Sequence, residues 1–277
     1  MDHAMVQNPI YLSNCEKLKN WGYRFVPPEE GELASGARGS GRLANSSRIL
    51  DEVKSVLLGR EGLEGVKILV TAGPTQEFLD PVRYLTNRSS GKMGYALAEE
   101  AALRGAEVTL VSGPTDLRSF SGVLLKNVQT AEEMAKVVLK EWKRNKVLLM
   151  AAAVADYRPS EKSLHKIKKG DSERLLRLER TKDILSQVAK EKKEGVVVGF
   201  VVETEDGEVR AKQKLIEKRL ELICLNNPLE RGAGFGEDTN KVTLMDREGK
   251  VESLPLMPKW EVAQRILDRV ESFVGKG

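Results

Sequence analysis

Residues 67–104 read KILVTAGPTQEFLDPVRYLTNRSSGKMGYALAEEAALR, and the order of residue types in this stretch decides the fold class. Residues 67–70 with Thr71 form a short apolar run that stops at Gly73-Pro74-Thr75, whereas residues 93–103 carry apolar side chains at helical spacing. The first pattern is a buried strand and the second a helix. Between them lie a glycine-rich bend and a polar loop, and the helix is expected to begin near Ser89, Ser90 and Gly91. Its first turn offers small residues and unpaired backbone N–H groups, which is where a phosphate or other anion binds best.

Working outward, strands and helices keep alternating. Residues 107–112 (EVTLVS) read as a second strand closed by Gly113-Pro114-Thr115, residues 123–128 as a third, and Thr130 caps a helix over 131–142. The run 147–155, VLLMAAAVA, is apolar without alternation, as a central strand buried on both faces should be. After Asp156 come a charged loop, SEKSLHKIKKGDSER, and the alternating run RLLRLER from Arg174, together expected to form a hairpin that projects as a lid or subunit contact. A helix over 184–192, a strand over 196–202, a helix over 208–218 and a strand over 220–226 complete the winding. A hairpin (241–246 and 251–256 about Gly249) and a helix over 260–273 close the chain.

This alternation predicts an α/β fold: a Rossmann-like three-layer domain over residues 61–277, with a mostly parallel sheet, a projecting β-hairpin and a C-terminal hairpin plus helix. Residues 1–60 differ. They are rich in Gly, Asn, Pro and Ser, and GELASGARGSGRLAN has little apolar periodicity, so this segment reads as loop or flap. A linker helix follows, capped by Ser47 and carrying Ile49, Val53, Val56 and Leu57 on one face.

Composition narrows the chemistry. The 277 residues are 40% hydrophobic and 31% charged, ordinary values for a globular chain, and the longest clean apolar run is far shorter than the roughly 20 residues that span a bilayer. The net charge of +4 is too small to argue for nucleic acid and suits anionic small molecules. Two cysteines, Cys15 and Cys224, with no CxxC pair, fit a reducing cytoplasmic setting. The two histidines, His3 and His165, leave too few soft ligands for a closed zinc site. Chemistry must rest on Lys, Asp, Asn, the backbone and a hard cation.

The common nucleotide fingerprints fail. Gly91-Lys92-Met93-Gly94 supplies half of a GxGxxG, no Gly stands five positions before Gly91, and no Tyr is followed by Lys four residues on. What remains is a constellation at the carboxyl ends of the predicted strands, where open α/β sheets bind ligands. Gly73, Ser89, Ser90 and Gly91 suit an anion. Asn87 is either a loop residue bonding its own backbone or an amide placed near a reacting carbonyl. Asp80 and Arg83 read as a local ion pair holding the loop. Met150, Ala151, Ala152 and Ala153 are small enough for a planar ring to approach the backbone, or equally for tight helix packing. Asp156 could orient a ribose hydroxyl or a phosphate-bound cation. Lys166, Lys168 and Lys169 (KIKK) form a solvated loop or neutralise a polyphosphate, and Lys214 and Lys218 share one helix face. Lysines from separate segments beside an anion site, with no thiol or histidine base, suggest chemistry with a phosphate leaving group, which needs positioning and charge neutralisation.

The segments TAGPTQEFLDPVRYLTNRSSGKMGYALAEEAALRGAEVTLVSGP, AAAVADYRP, KIKK, GFVVET and the K-x3-K helix resemble phosphopantothenoylcysteine synthetase, the ligase half of the bifunctional coenzyme A biosynthesis flavoprotein. The match runs from about Leu63 to the C-terminus. The resemblance implies that CTP, with Mg2+, activates 4′-phosphopantothenate to an acyl-cytidylate and that the amine of L-cysteine then displaces CMP. It implies nucleotide contacts at Met150, Ala151, Ala152, Asp156, Lys166, Lys182, Asp183, Ile184, Leu185, Phe200, Lys214 and Lys218, and a catalytic role for Asn87 with Lys166. ATP in place of CTP stays open. Lys182 stands where the family usually has Pro, and GFVVET where it has GFAAET. Residues 1–60 look like the tail of the family's flavin-dependent decarboxylase, with Asp2 in place of an Asn and Ser35 in place of the acid cysteine, so decarboxylation is not expected of this chain alone. A homodimer through the 174–180 strand, a decarboxylase domain or subunit as partner, and a non-catalytic scaffold for such an assembly are the further expectations.

Overall fold

The computed structural model describes residues 1–169, 175–203 and 206–275. They form two compact units, Met1–Gly59 and Arg60–Gly277. In the first, helix α1 (His3–Val6) is capped by Asp2, and α2 (Pro9–Asn20) is capped by Asn8 with Pro9 in its first turn. Strands β1 (Glu29–Glu32) and β2 (Arg38–Arg42) pair antiparallel, with Gly36 at φ 78° in the turn, and α3 (Ser46–Leu58) follows. The reading as loop or flap is therefore corrected. Order here comes from caps and a glycine turn rather than from apolar periodicity, and α2 buries none of its residues. The cap of α3 is Asn45, whose Oδ1 accepts from the Ser47 N–H at 3.1 Å, so Ser47 is the second helical residue and not the cap.

The second unit begins with β3 (Lys67–Ala72), β4 (Gln76–Phe78), β5 (Tyr84–Thr86), α4 (Lys92–Leu103), β6 (Glu107–Ser112), β7 (Leu124–Asn127), α5 (Ala131–Trp142) and β8 (Val147–Met150). It continues through β9 (Tyr157–Pro159), β10 (Leu178–Arg180), α6 (Ile184–Glu191), β11 (Val196–Val202), α7 (Gly207–Glu217) and β12 (Leu222–Asn226). Last come β13 (Thr239–Asn240), β14 (Val242–Asp246), β15 (Val251–Ser253), β16 (Met257–Pro258) and α8 (Lys259–Val274).

The main sheet has eight strands in the order β7-β6-β3-β8-β11-β12-β14-β15. The first six are parallel, and at one edge β14 runs antiparallel to both of its neighbours, β12 and β15. The parallel strands follow the doubly wound order, in which winding reverses between the first strand, β3, and the fourth, β8. Both faces are covered. Val147 and Leu149 of β8 join Ile68, Val70, Leu97 and Ile266 beneath α4 and α8, while Leu148 and Met150 join Met134, Val138, Leu185 and Leu215 beneath α5, α6 and α7. This two-sided burial is why β8 reads as an unbroken apolar run.

Three local expectations are revised. The helix after the opening strand starts at Lys92, with Gly91 as its N-cap. β8 stops at Met150 instead of running to Ala155, because β3 ends at Ala72 and Gly73 (φ 73°) turns its neighbouring strand away. Residues past Met150 are held singly: Ala152 N–H donates to Thr71 Oγ1 (3.1 Å), Ala153 N–H to Gly73 O (2.9 Å) and Ala155 N–H to Thr75 Oγ1 (3.0 Å). The alternating run from Arg174 contributes β10, which pairs antiparallel with β9; residues 170–174 lie outside the described residues. The polar loop of the opening stretch also contains a hairpin, β4–β5, that sequence periodicity did not reveal.

Candidate active site

Three glycines shape the crevice where the winding reverses. Gly73 and Gly91 both take positive φ, 73° and 77°. A Cβ on Gly91 would stand 3.3 Å from the Gly73 Cα, and one on Gly94 would stand 2.5 Å from the Ala72 Cβ. The bend and the close packing of helix on strand are tasks of the first and third glycines in a dinucleotide fingerprint, and Gly91 stands at the helix start where the second lets a phosphate approach the backbone. Here residues 74–90 are inserted between the first and second of these glycines, which hides the pattern from a linear scan. Ser89 Oγ accepts the Gly91 N–H at 3.3 Å, and Lys92 Nζ donates to Gly236 O and Asp238 Oδ1, each at 2.7 Å.

The inserted hairpin places Asn87. Thr86 Oγ1 donates to Thr75 O at 2.7 Å, which holds the end of β5 against the bend after β3. Asn87 then reaches across the crevice, its Nδ2 donating to Ala153 O (3.3 Å) and Val154 O (3.0 Å). Its amide thus bonds the backbone of the facing segment and not its own.

Beside this contact lies a cavity of about 480 Å³. Nine of the expected nucleotide residues line it: Met150, Ala152, Asp156, Lys182, Asp183, Ile184, Leu185, Phe200 and Lys214. Ala151 does not, because alternation turns it to the other face of the sheet, where it packs against the core beneath α4 and α8. The same alternation brings in Val154, which sequence reading passed over, together with Tyr157, Arg180 and Thr181. The signal for Val154 was its even spacing from Met150, and that for Arg180 its position in the RLLRLER alternation. Thr181 is fixed by Oγ1 donating to Ala155 O at 2.6 Å and by its N–H donating to Asp156 O at 2.9 Å.

The charges in this cavity are unequal in their commitments. Asp183 caps α6 by accepting from Ser186 N–H (2.8 Å) and also accepts from Lys218 Nζ (2.5 Å). Burial alone would raise its carboxyl, but the hydrogen bonds from Lys218 and Ser186 overcome this and hold it below its ordinary pKa. Lys218 is therefore a support for the cavity wall and does not line it. Lys182 stands 3.9 Å from Glu132, a loose pair. Lys214 is different: among the described residues no hydrogen bond or ion pair reaches its half-buried ammonium, and burial lowers its pKa despite the fields of Asp183 and Asp156. A half-buried cation of this kind is completed by an anion.

Lys166 is exposed and does not line the cavity. It stands next to Ile167, whose N–H donates to Asp80 Oδ2 (3.1 Å) and whose carbonyl accepts from Arg83 Nη2 (2.8 Å). The Asp80–Arg83 pair thus reaches well beyond its own loop.

The sequence matches the family model described as the DNA/pantothenate metabolism flavoprotein C-terminal domain over residues 63–274. It is 42% identical to the coenzyme A biosynthesis bifunctional protein CoaBC of Bacillus subtilis, over 99% of this chain and 68% of that protein. It is 40% identical to a cysteine/cysteine sulfinic acid decarboxylase from an unknown prokaryotic organism, over 99% of this chain and 78% of that one. A crystal structure of the C-terminal domain of a CoaBC protein superposes with a TM-score of 0.68 at 41% identity, covering 78% of this chain and 99% of that domain. With the doubly wound sheet and the crevice already described, these matches establish that the chain belongs to the DNA/pantothenate metabolism flavoprotein C-terminal domain family, the phosphopantothenoylcysteine synthetase half of coenzyme A biosynthesis proteins.

Proposed function

We propose that this chain joins 4′-phosphopantothenate to L-cysteine through an acyl-cytidylate, consuming CTP and releasing pyrophosphate and CMP. The observation that carries the proposal is the bond from Asn87 to Val154 O, because Val154 lines the 480 Å³ cavity. That bond sets the amide at the border between the glycine-serine helix start and a cavity whose Lys214 has no hydrogen bond or ion pair among the described residues.

In this reading Met150, Ile184, Leu185 and Phe200 form an apolar floor for base and ribose, and Lys214, Lys182 and Arg180 face the phosphates. Gly73, Ser89, Ser90 and Gly91 receive the phosphate of 4′-phosphopantothenate. The acid's carboxylate attacks the α-phosphorus, the bond to the β-phosphate breaks, and pyrophosphate leaves with its charge met by lysines, Lys166 among them. The cysteine amine then adds to the acyl carbon, the bond to CMP breaks, and the ammonium proton is lost to solvent. Asn87, held at the crevice, exchanges one of its two Nδ2 bonds to the Ala153–Val154 backbone for a bond to the oxyanion formed in this step. Asp156 has no lysine partner among the described residues, and one carboxylate with phosphate oxygens and water is a donor set that fits Mg2+. When bound, that ion would neutralise charge on the triphosphate.

Omitting cysteine should leave a mass-detectable acyl-cytidylate, and adding it should yield amide and CMP. Asn87→Ala is expected to slow the second step by about 100-fold, the loss typical of an oxyanion donor. Unchanged rates would remove Asn87 from this role. Substituting ATP for CTP in the same assay decides the nucleotide. The decarboxylase relative suggests a second activity, but Ser35 supplies no thiol and its Oγ is spent on Asp2 Oδ2 at 3.4 Å. We place decarboxylation in a partner domain or subunit. Self-pairing of the exposed β10 strand is the proposed route to a homodimer, and a monomer in micromolar sedimentation would count against it.

A further inference from the structure

The hairpin β4–β5 carries Asn87 at one end, and its tip touches the segment that carries Lys166. The carboxylate of Asp80 is fully buried at the tip. Its Oδ1 accepts from Val82 N–H (2.8 Å) and Arg83 N–H (2.9 Å), and its Oδ2 accepts from Arg83 Nε (3.0 Å) and Nη2 and from Ile167 N–H (3.1 Å). Arg83 Nη2 completes the circuit by donating to Ile167 O at 2.8 Å. One residue is thus gripped through both backbone groups, as a neighbouring strand would grip it, but by two side chains. Two further contacts seat the same segment: Ser163 N–H donates to Leu79 O at 2.9 Å, and Lys162 Nζ lies 5.0 Å from the centre of the Phe78 ring.

We propose that Asp80 and Arg83 form a positioning clasp that holds Ile167 and so couples the placement of Lys166 to that of Asn87. A local ion pair would need only Asp80 and Arg83. Burying a carboxylate so that it accepts a second segment's N–H is explained by the need to fix that segment. The Arg83 fork is essential to the arrangement, since one guanidinium bonds Asp80 and Ile167 together and an ammonium cannot reproduce the planar pair. The Arg83 hydrogen bonds hold the Asp80 carboxyl far below its ordinary range, so the clasp stays ionised throughout the working pH range. The inference rests on the proposed role of Lys166 toward the nucleotide's phosphates.

Two measurements on the full chain test it. Cleavage of the native protein by a lysine-specific protease after Lys166 and Lys168, followed by the mass of the fragments that end at these two residues so that cutting at position 83 is not counted, should be about fivefold faster in Arg83→Lys than in the wild type, because the clasp closes the segment against local opening. Equal rates would overturn the clasp, and this readout does not depend on activity. In the ligation assay Arg83→Lys should raise the KM for CTP about tenfold with a smaller change in kcat, and should add less than about twofold in a Lys166→Ala background. A full, additive loss in that background would show that Arg83 acts elsewhere and overturn the coupling. Should the wild type release no pyrophosphate with any nucleotide, the ligase reading fails, and the coupling to Lys166 chemistry falls with it; the digestion still decides whether the clasp holds Ile167.

Discussion

Lys214 is the residue whose surroundings best suit an anionic ligand. Its ammonium is half-buried and its pKa is lowered by burial. Replacing it with Met should weaken nucleotide binding by about tenfold or more, the loss of one charge-assisted contact. The melting temperature of the free protein should hold or rise, since a charge with no ion pair among the described residues is removed from a poorly solvated place. Calorimetric titration and a melting curve read the two effects, and a fall in both would make Lys214 a structural residue. The sign of the pH effect follows. Because the folded state holds this proton less tightly than the unfolded chain, stability rises with pH between the lowered pKa and the ordinary value of about 10.4. Anion binding favours the charged lysine, so affinity should fall as pH climbs through that same window. At this scale much of the cavity was legible: place at a strand end pointed to Met150, Ala152 and Asp156 and a helix face to Lys214, while Asp183 and Phe200 were implied by the family resemblance alone. Ala151 was misplaced because a strand's alternation decides its face, and Arg180 was missed because its place in the RLLRLER alternation marks a strand and not a ligand.

Among the elements, α4 and α6 set the geometry of the crevice. Gly94→Ala would drive a Cβ to 2.5 Å from the Ala72 Cβ and 2.7 Å from Thr71 O, both atoms of β3. The helix must lift from the sheet, so a destabilisation of about 1–3 kcal/mol is expected in urea unfolding, with loss of ligation. An unchanged midpoint would mean that the contact relaxes freely. Asp183→Ala removes both the cap of α6 and the partner of Lys218. It should lower stability by about 1–2 kcal/mol, whereas Asp183→Asn, which keeps a capping oxygen, should lose less. The carboxyl's contribution is fully present above its unfolded pKa of about 3.9 and is lost as acid takes the pH down through the lowered folded value. Long elements such as α5, with its Thr130–Glu133 capping box, were plain in the sequence because period and caps agree. The hairpin β4–β5 was not, since QEF and YLT are too short to show a period and their pairing depends on a turn anchored by Asp80.

On the scale of the whole molecule, both core clusters draw on residues 63–274. The piece 60–277 is therefore expected to unfold cooperatively on its own and to keep nucleotide binding, and a broad, non-cooperative melt would show that it needs residues 1–59. The mostly parallel sheet was legible because crossover helices separate most of its strands and stamp alternation on the sequence, although β6 and β7 are joined by a loop. The order within residues 1–59 was not, because it is held by caps and turns with little buried apolar surface. The central claim is that the crevice between β3 and β8 activates an acid with CTP, and pyrophosphate release tests it most directly. With CTP, Mg2+ and cysteine present, the account predicts release only when 4′-phosphopantothenate is added, with one amide formed for each pyrophosphate. Release that is indifferent to the acid, or none at all with CTP, would contradict it.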